Sequence, residues 1–492
     1  MARVLAFVAG VAVAGAGCAS LAGIDDTTGD ARGSNAVELT RISIGAQVVT
    51  TPLDLTGLQA TYLVPNAANP AGVDRVPAIN AGPGKWTADL SAAAPVDLTV
   101  PEVPPIPRLF SFPNPALKVP FNVFEHPNPT PAPTPAMLDL TVQLDAATVG
   151  TEGFQIFTVG AWSQRTVDPA DLPMAGSVQL GPLSYDFHTS TSLSGRPLDA
   201  LTQQDRFFVL RYDGTELTGV AEVPPFDQTG ADTLVATMVP VTLGEPLDVR
   251  IEPARLTTRY ASVRPAVSDL QMGWSLTAAP GLGAAKTSGP VLQSGALAEN
   301  DSGVTVAYGN PFTDPMWRTA FTLTTLETRV YTPPGGTMPV TLQAGMSQVL
   351  IPSTGFVLTV PAGLPELITL DRMPLSTDGQ TIAAPTKLVE VTFVADTPVT
   401  GAANATLYTL GVFDLLPNAA MTGLEYHQVL AATGSEAKFE LPPEIFQVGH
   451  SYTLRATCHL AGYPAIASGD LVMRDLPFAE SFLDSAVITV TP

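Results

Sequence analysis

Forty-seven prolines are spread through the 492 residues, about one in every ten. Proline has no N–H to give a helix interior and fixes its own φ, so this spacing leaves little room for long helices. The 41 glycines work in the same direction. Disorder is the other outcome of such a composition, but a 45% hydrophobic content is enough for several packed cores. Many short strands joined by Pro/Gly turns satisfy both facts. At this length the chain divides into roughly three to five domains.

Strand patterning supports that reading. Leu138-Asp139-Leu140-Thr141-Val142-Gln143-Leu144 alternates strictly, one side apolar and the other wet. Arg206 to Tyr212, then Asp213-Gly214, then Thr215 to Val220 reads as a hairpin, because Asp-Gly supplies the positive φ of a tight turn. Asp378-Gly379 reads as a similar turn, and Val389 to Phe393 as another alternating strand. No stretch sustains the helical period. A transmembrane barrel is excluded on three grounds: aromatic residues make up only 7%, prolines interrupt too many segments, and the chain ends in Val490-Thr491-Pro492.

The first residues carry a different signal. Arg3 precedes an apolar run from Val4 to Ala14, and Gly15-Ala16-Gly17-Cys18 follows. A short basic region, an apolar segment and small residues make a secretory leader, too short for a comfortable membrane span. Small residues before a cysteine resemble the lipobox of bacterial lipoproteins. That resemblance implies cleavage after residue 17 and a diacylglycerol on the thiol of Cys18, hence a membrane partner through lipid. Ala19, a non-acidic residue after the cysteine, resembles the signal for outer-membrane sorting. Residues 18–36 then form a flexible tether. The second cysteine, Cys458, has no partner for a disulfide once Cys18 is acylated.

Behind the tether we expect an all-β chain of tandem β-sandwich domains of the immunoglobulin or fibronectin type III kind. The stretch from Pro127 to Pro135, with proline at every second position, favours stiff polyproline II. It separates a domain at 37–126 from those that follow, as a linker over 127–136. Two further sandwiches are expected at 137–245 and 246–365, with a weak boundary between them, the alternative being one larger sandwich over 137–364. Residues 366–492 resemble a fibronectin type III domain, on the strands Val389–Phe393 and Thr406–Phe413. The segment Phe439-Glu440-Leu441-Pro442-Pro443, followed by Val448-Gly449-His450-Ser451-Tyr452-Thr453-Leu454-Arg455-Ala456, adds to the match. The resemblance implies that Tyr452 forms the corner whose hydroxyl bonds back to the backbone. Residues 415–438 read as a long loop.

The search for chemistry returns little. A net charge of −22 repels phosphate backbones, so nucleic acid is excluded as a partner, and anionic headgroups are disfavoured. Cys458 and His459 fall on opposite faces of one strand and cannot act together locally. Cys458 reads as a small core hydrophobe, His459 as a surface residue. His126, His188, His427 and His450 are scattered without metal spacing. Gly345-Met346-Ser347-Gln348-Val349 lacks the second glycine of a nucleophile elbow, and Ser435-Glu436-Ala437-Lys438 lacks its companion motifs. Two loops offer several oxygen ligands for calcium, one with Asp227 and Asp232, the other with Asp301. Trp86, Trp162, Trp274 and Trp317 read as core residues rather than sugar platforms. The expectation is a non-catalytic cell-envelope lipoprotein with no catalytic residue, metal or cofactor. It would serve as a spacer or bind a protein or glycan. The alternatives are an envelope hydrolase with sandwich accessories and a calcium-dependent adhesin or assembly subunit.

Overall fold

The computed structural model describes residues 35–44, 48–66, 68–90, 94–99, 107–112, 116–123, 126, 130–159, 163–186, 198–244, 246–250, 260, 269–280, 289–298, 303–312, 317–333, 336–351, 356–357, 364–375, 379–395, 406–461, 470–471 and 478–492. The protein is all-β, a set of β-sandwiches in tandem. The helical positions among these residues are two short 3-10 turns, Pro169–Asp171 and Pro443–Ile445, and the α-helical residue Tyr260. No helix among them is long and apolar enough to cross a membrane.

Strand pairing groups the chain into four two-sheet units. Unit 1 holds β1 (Asn35–Ile44), β2 (Val48–Pro52), β3 (Gln59–Pro65), β4 (Val73–Pro77), β5 (Ile79–Gly82), β6 (Lys85–Ala88), β7 (Val96–Thr99), β8 (Pro107–Ser111) and β9 (Ala116–Val123). Unit 2 holds β10 (Met137–Gln143), β11 (Gly153–Val159), β12 (Ser163–Thr166), β13 (Gln179–Asp186), β14 (Arg206–Asp213), β15 (Glu216–Val223), β16 (Asp232–Thr237) and β17 (Val239–Pro240). Unit 3 holds β18 (Leu247–Arg250), β19 (Asp269–Pro280), β20 (Val291–Ala296), β21 (Gly303–Val306), β22 (Trp317–Tyr331), β23 (Val340–Leu350) and β24 (Phe356–Val357). Unit 4 holds β25 (Pro365–Leu370), β26 (Met373–Pro374), β27 (Gln380–Ala383), β28 (Val389–Ala395), β29 (Thr406–Pro417), β30 (Leu424–Gly434), β31 (Lys438–Leu441), β32 (Ser451–Ala461), β33 (Phe478–Asp484) and β34 (Ile488–Thr491).

Units 1 to 3 share one wiring. The first strand lies between an antiparallel neighbour and a parallel strand from the end of the unit: β1 between β6 and β9, β10 between β13 and β16, β18 between β21 and β24. The facing sheet is two hairpins joined side by side: β4-β3-β7-β8, β12-β11-β14-β15 and β20-β19-β22-β23. Unit 4 keeps the facing sheet as β30-β29-β32-β33 but flanks β28 with two antiparallel strands, β25 and β31. The flanking strand there, β25, opens the unit instead of closing it.

Local sequence explains these strands. In β10, Leu138, Leu140 and Val142 are fully buried while Asp139 and Gln143 face water. In β28, Val389, Val391 and Phe393 fill the core. Each fully buried aliphatic side chain stabilises by about 1.5–3 kcal/mol. The β14–β15 hairpin turns at Gly214, whose φ is +59°, as Asp213-Gly214 implies. The β25–β26 hairpin turns at Asp371 and Arg372, with φ of +48° and +65°. Asp378-Gly379 is not a hairpin turn: the strands on either side, β26 and β27, belong to different sheets, and Asp378 itself lies outside the described residues. Nor is 415–438 a loop. It holds the end of β29 and the whole of β30, which pair from Tyr408↔Gly434 to Pro417↔Leu424.

The facing sheets of the four units join edge to edge. β15 touches β20 at Glu216↔Gln293, β23 pairs with β33 from Ala344 to Val349, and β30 runs parallel to β8 from Ala431 to Gly434. One hydrogen-bonded sheet of 19 strands therefore passes through units 2, 3, 4 and 1 in that order. Unit 1 is docked on unit 4, not strung ahead of unit 2. Leu407 and Leu471 of unit 4 enter the unit 1 core, and Arg75 pairs with Glu444 across the junction. The described part of the proline-rich linker also lies against a neighbour. The Thr130 carbonyl accepts from Ala200 N–H, Pro131 bridges to Asp199, and Ala136 is buried in the unit 2 core.

Candidate functional site

Cys18, the residue expected to carry lipid, lies outside the described residues, as do His188, Trp162 and Asp301. The remaining candidates lie on the strands of the four units or on the segments that join them.

Strand β32 is central in its sheet, between β29 and β33. Its alternation sends Tyr452, Leu454, Ala456 and Cys458 into the core and His459 to the outer face. Tyr452 is 1% exposed, and its hydroxyl accepts the Gln447 N–H at 2.9 Å, the corner expected of a fibronectin type III strand. Burial pushes the Cys458 thiol up to about 12, so it is an inert core group. His459 is not the surface residue its sequence suggests. Flanking strands cover it to 15% side-chain exposure, with Nδ1 3.6 Å from Glu480 and Nε2 3.3 Å from the Thr409 hydroxyl.

Thr409, His459 and Glu480 thus lie in the order hydroxyl, imidazole, carboxylate, an order that nucleophilic enzymes use. The setting does not suit that chemistry. All three sit on regular paired strands, whose N–H groups are spent in the ladder and give no donors for an oxyanion. Ser347, next to Glu480 in register, is separated from His459 by that carboxylate. Gly345 of the same motif lies under the Phe482 ring, where any side chain would collide. Its glycine serves packing between strands, not a nucleophile elbow. Ser435–Lys438 forms the turn into β31 rather than a helix.

Three of the charged clusters among the described residues hold chain segments together. In unit 2, Arg211 reaches Asp145 at 2.9 Å and Glu152 at 2.7 Å, and donates to the carbonyls of Ala146 and Ala147. Burial opposes the Glu152 charge, but Arg211 and the N–H groups of Val149 and Gly150 outweigh it and bring the carboxyl down to about 2. The result fixes the 145–152 loop. Between units 3 and 4, Arg455 grips Asp484 through Nε at 2.7 Å and a second nitrogen at 3.0 Å. It also donates to Gln343 of β23 at 3.0 Å. Tyr426 and the Gln343 N–H donate to the same Asp484 carboxylate, and the guanidinium lies 4.5 Å from the Phe482 ring centre.

At the linker, His126 stands between two carboxylates. Nε2 is 2.7 Å from Asp205 and Nδ1 is 3.6 Å from Asp199. Opposite ring nitrogens face different acids, which suits an imidazolium bridge and not a shared metal ion. Burial disfavours the charged ring, but the Asp205 hydrogen bond and both carboxylates outweigh it and raise its pKa above 6.5.

In the alternative calcium loop, Asp227 and Asp232 are both hydrogen-bonded to protein donors. Asp227 accepts from the backbone and side chain of Gln203, and Asp232 from Thr229 and Gly230. Among the described residues no group of three His, Cys, Asp or Glu side chains is arranged to hold a metal ion. Trp86, Trp274 and Trp317 are buried in cores. The three ionic clusters escaped the sequence reading. The available signal was a charge set against an apolar run, as in Phe207-Phe208-Val209-Leu210-Arg211.

The class that fold and geometry define is an all-β tandem sandwich protein. No family model matches the chain, and no curated protein matches it. Among solved structures, a mutant alpha-2-macroglobulin of Salmonella is 13% identical over 81% of this chain, with a TM-score of 0.12. The native conformation of E. coli alpha-2-macroglobulin is 9% identical over 90%, with a TM-score of 0.13. The chain spans 27% and 34% of their lengths. Likenesses this slight carry no argument about function.

Proposed function

We propose that the chain is a non-catalytic envelope lipoprotein, tethered through Cys18, in which joined sandwiches form a stiff body that spaces or presents a binding surface. The tether rests on Gly15-Ala16-Gly17-Cys18 and the apolar run before it. The observation that carries the structural role is the strand-to-strand joining of all four units. Buried ion pairs at Arg211 and Arg455 support it, because both serve to fix loops and strands to one another.

Acyl labelling of wild type against Cys18→Ser in a bacterial host tests the anchor. Label on the wild type alone is expected, with the wild type in the outer-membrane fraction. Equal label on both chains, or none on either, removes the anchor.

A further inference from the structure

The shared wiring of the units makes their edges comparable, and one edge stands apart. In each unit the sheet built around β1, β10, β18 or β28 ends in a flanking strand that turns one side away from its sheet. In unit 1 that strand is β9, and its open side is covered. Asp470 bridges to Lys118, Leu471 N–H donates to the Lys118 carbonyl at 3.0 Å, and the strand carries Pro120. In unit 4 it is β25, covered by β26 through Thr369↔Pro374 and Leu370↔Met373. In unit 3 the equivalent, β24, is described over Phe356–Val357.

In unit 2 the equivalent strand is β16, six residues long, and among the described residues it pairs with β10 alone. Met238 N–H donates to the Gln143 carbonyl at 2.8 Å. Amide groups alternate in direction along a strand, so those of Leu234 and Ala236 turn to β10 and those of Thr233, Val235 and Thr237 turn outward. This outward row has none of the usual protection. The one charge of β16, Asp232 at its start, is turned to Thr229 and Gly230, and from Thr233 to Val239 the chain reads Thr-Leu-Val-Ala-Thr-Met-Val, without charge and without proline. Edges left so are templates for another strand. Val235 is 58% exposed beside that row. The opposite edge of the same sheet, β13, is interrupted by Pro182.

We infer that the open edge of β16 is an interface at which two copies of this chain pair antiparallel, edge to edge, about a twofold axis. A second copy is the occupant favoured because the row from Thr233 to Thr237 is uncharged and its outward residues, Thr233, Val235 and Thr237, are β-branched. Two such rows meet without like charges in register, although each chain carries a net charge of −22. A closed twofold contact of this kind is self-complementary. The same protein already joins its own units edge to edge, at β23–β33 and β30–β8. The inference stands apart from the lipid tether and holds with or without it.

Sedimentation of the full chain carrying Cys18→Ser, at moderate salt to screen the overall charge, tests it. With rising concentration the mass shifts from one chain to two, and the Val235 amide becomes protected from hydrogen exchange. Val235→Lys places a charge in the row. It holds the chain at one mass throughout, with an unchanged melting temperature because the side chain is exposed. Val178→Lys, equally exposed on the far side of the sheet, keeps the dimer. A wild type that stays at one chain mass overturns the proposal, whatever other strand the edge accepts. So does a Val235→Lys chain that dimerises as wild type does, or a Val178→Lys chain that fails to.

Discussion

Units 3 and 4 meet through consecutive strand pairs from Ala344↔Leu483 to Val349↔Phe478, locked by Arg455, Asp484 and Gln343. Units 2 and 3 meet through the single pair Glu216↔Gln293, the Thr215 contacts to Ser294, and a pile of rings. Phe208 lies edge-on to Phe312 at 5.3 Å, and Phe312 lies 4.7 Å from Trp317. The first seam depends on direction, since its hydrogen bonds and buried charges work in one register only. The second depends on area and tolerates small shifts. Two sandwich pairs in one chain are therefore joined by different physics, and each should fail differently.

The largest effect is expected at the first seam. Arg455→Met strands the Asp484 carboxylate, whose side chain has no solvent exposure, and should cost about 3–5 kcal/mol in urea unfolding. Adding Asp484→Leu should recover most of that loss. A double variant as unstable as the single one would mean that packing, not charge, holds the seam. Trp317→Ala should cost about 3 kcal/mol through lost ring contacts, while hydrogen exchange at β23–β33 stays slow. If exchange there rises as well, the two seams are not independent.

Smaller effects sharpen the contrast inside the units. Tyr452→Phe leaves the Gln447 N–H without its acceptor and should cost about 1–2 kcal/mol, measured by thermal melting. His126→Gln should show a pH signature. The folded ring has a raised pKa, so its contribution is fully present below 6.5, the ordinary histidine value. It is lost as pH rises through the higher folded value. The stability gap between wild type and variant should therefore be widest below pH 6.5 and narrow as pH rises above it. A gap that widens with pH would contradict the imidazolium bridge.

Much of the strand content was legible because burial writes itself into alternation, as in Leu138-Leu140-Val142 and Val389-Val391-Phe393. The Tyr452 corner was legible too, because its hydroxyl bonds only five residues back. β30 was hidden by the irregularity between Val412 and Phe413, which shifts the register opposite Gln428 and breaks the alternation a reader follows. The joins were hidden for a deeper reason. Strand β8 pairs with β30 more than three hundred residues away, and nothing in Arg108-Leu109-Phe110 names its partner. The ionic clusters share that difficulty, since Arg455 and Gln343 come from units that each look complete alone.

The joining of units distant in sequence is tested most directly by native-state hydrogen exchange at β8 and β30. Amides bonded between residues 108–111 and 431–434 should be protected to the same degree as those between β29 and β32. Exchange there at the rate of an exposed loop, with the rest of β30 protected, would contradict the continuous sheet.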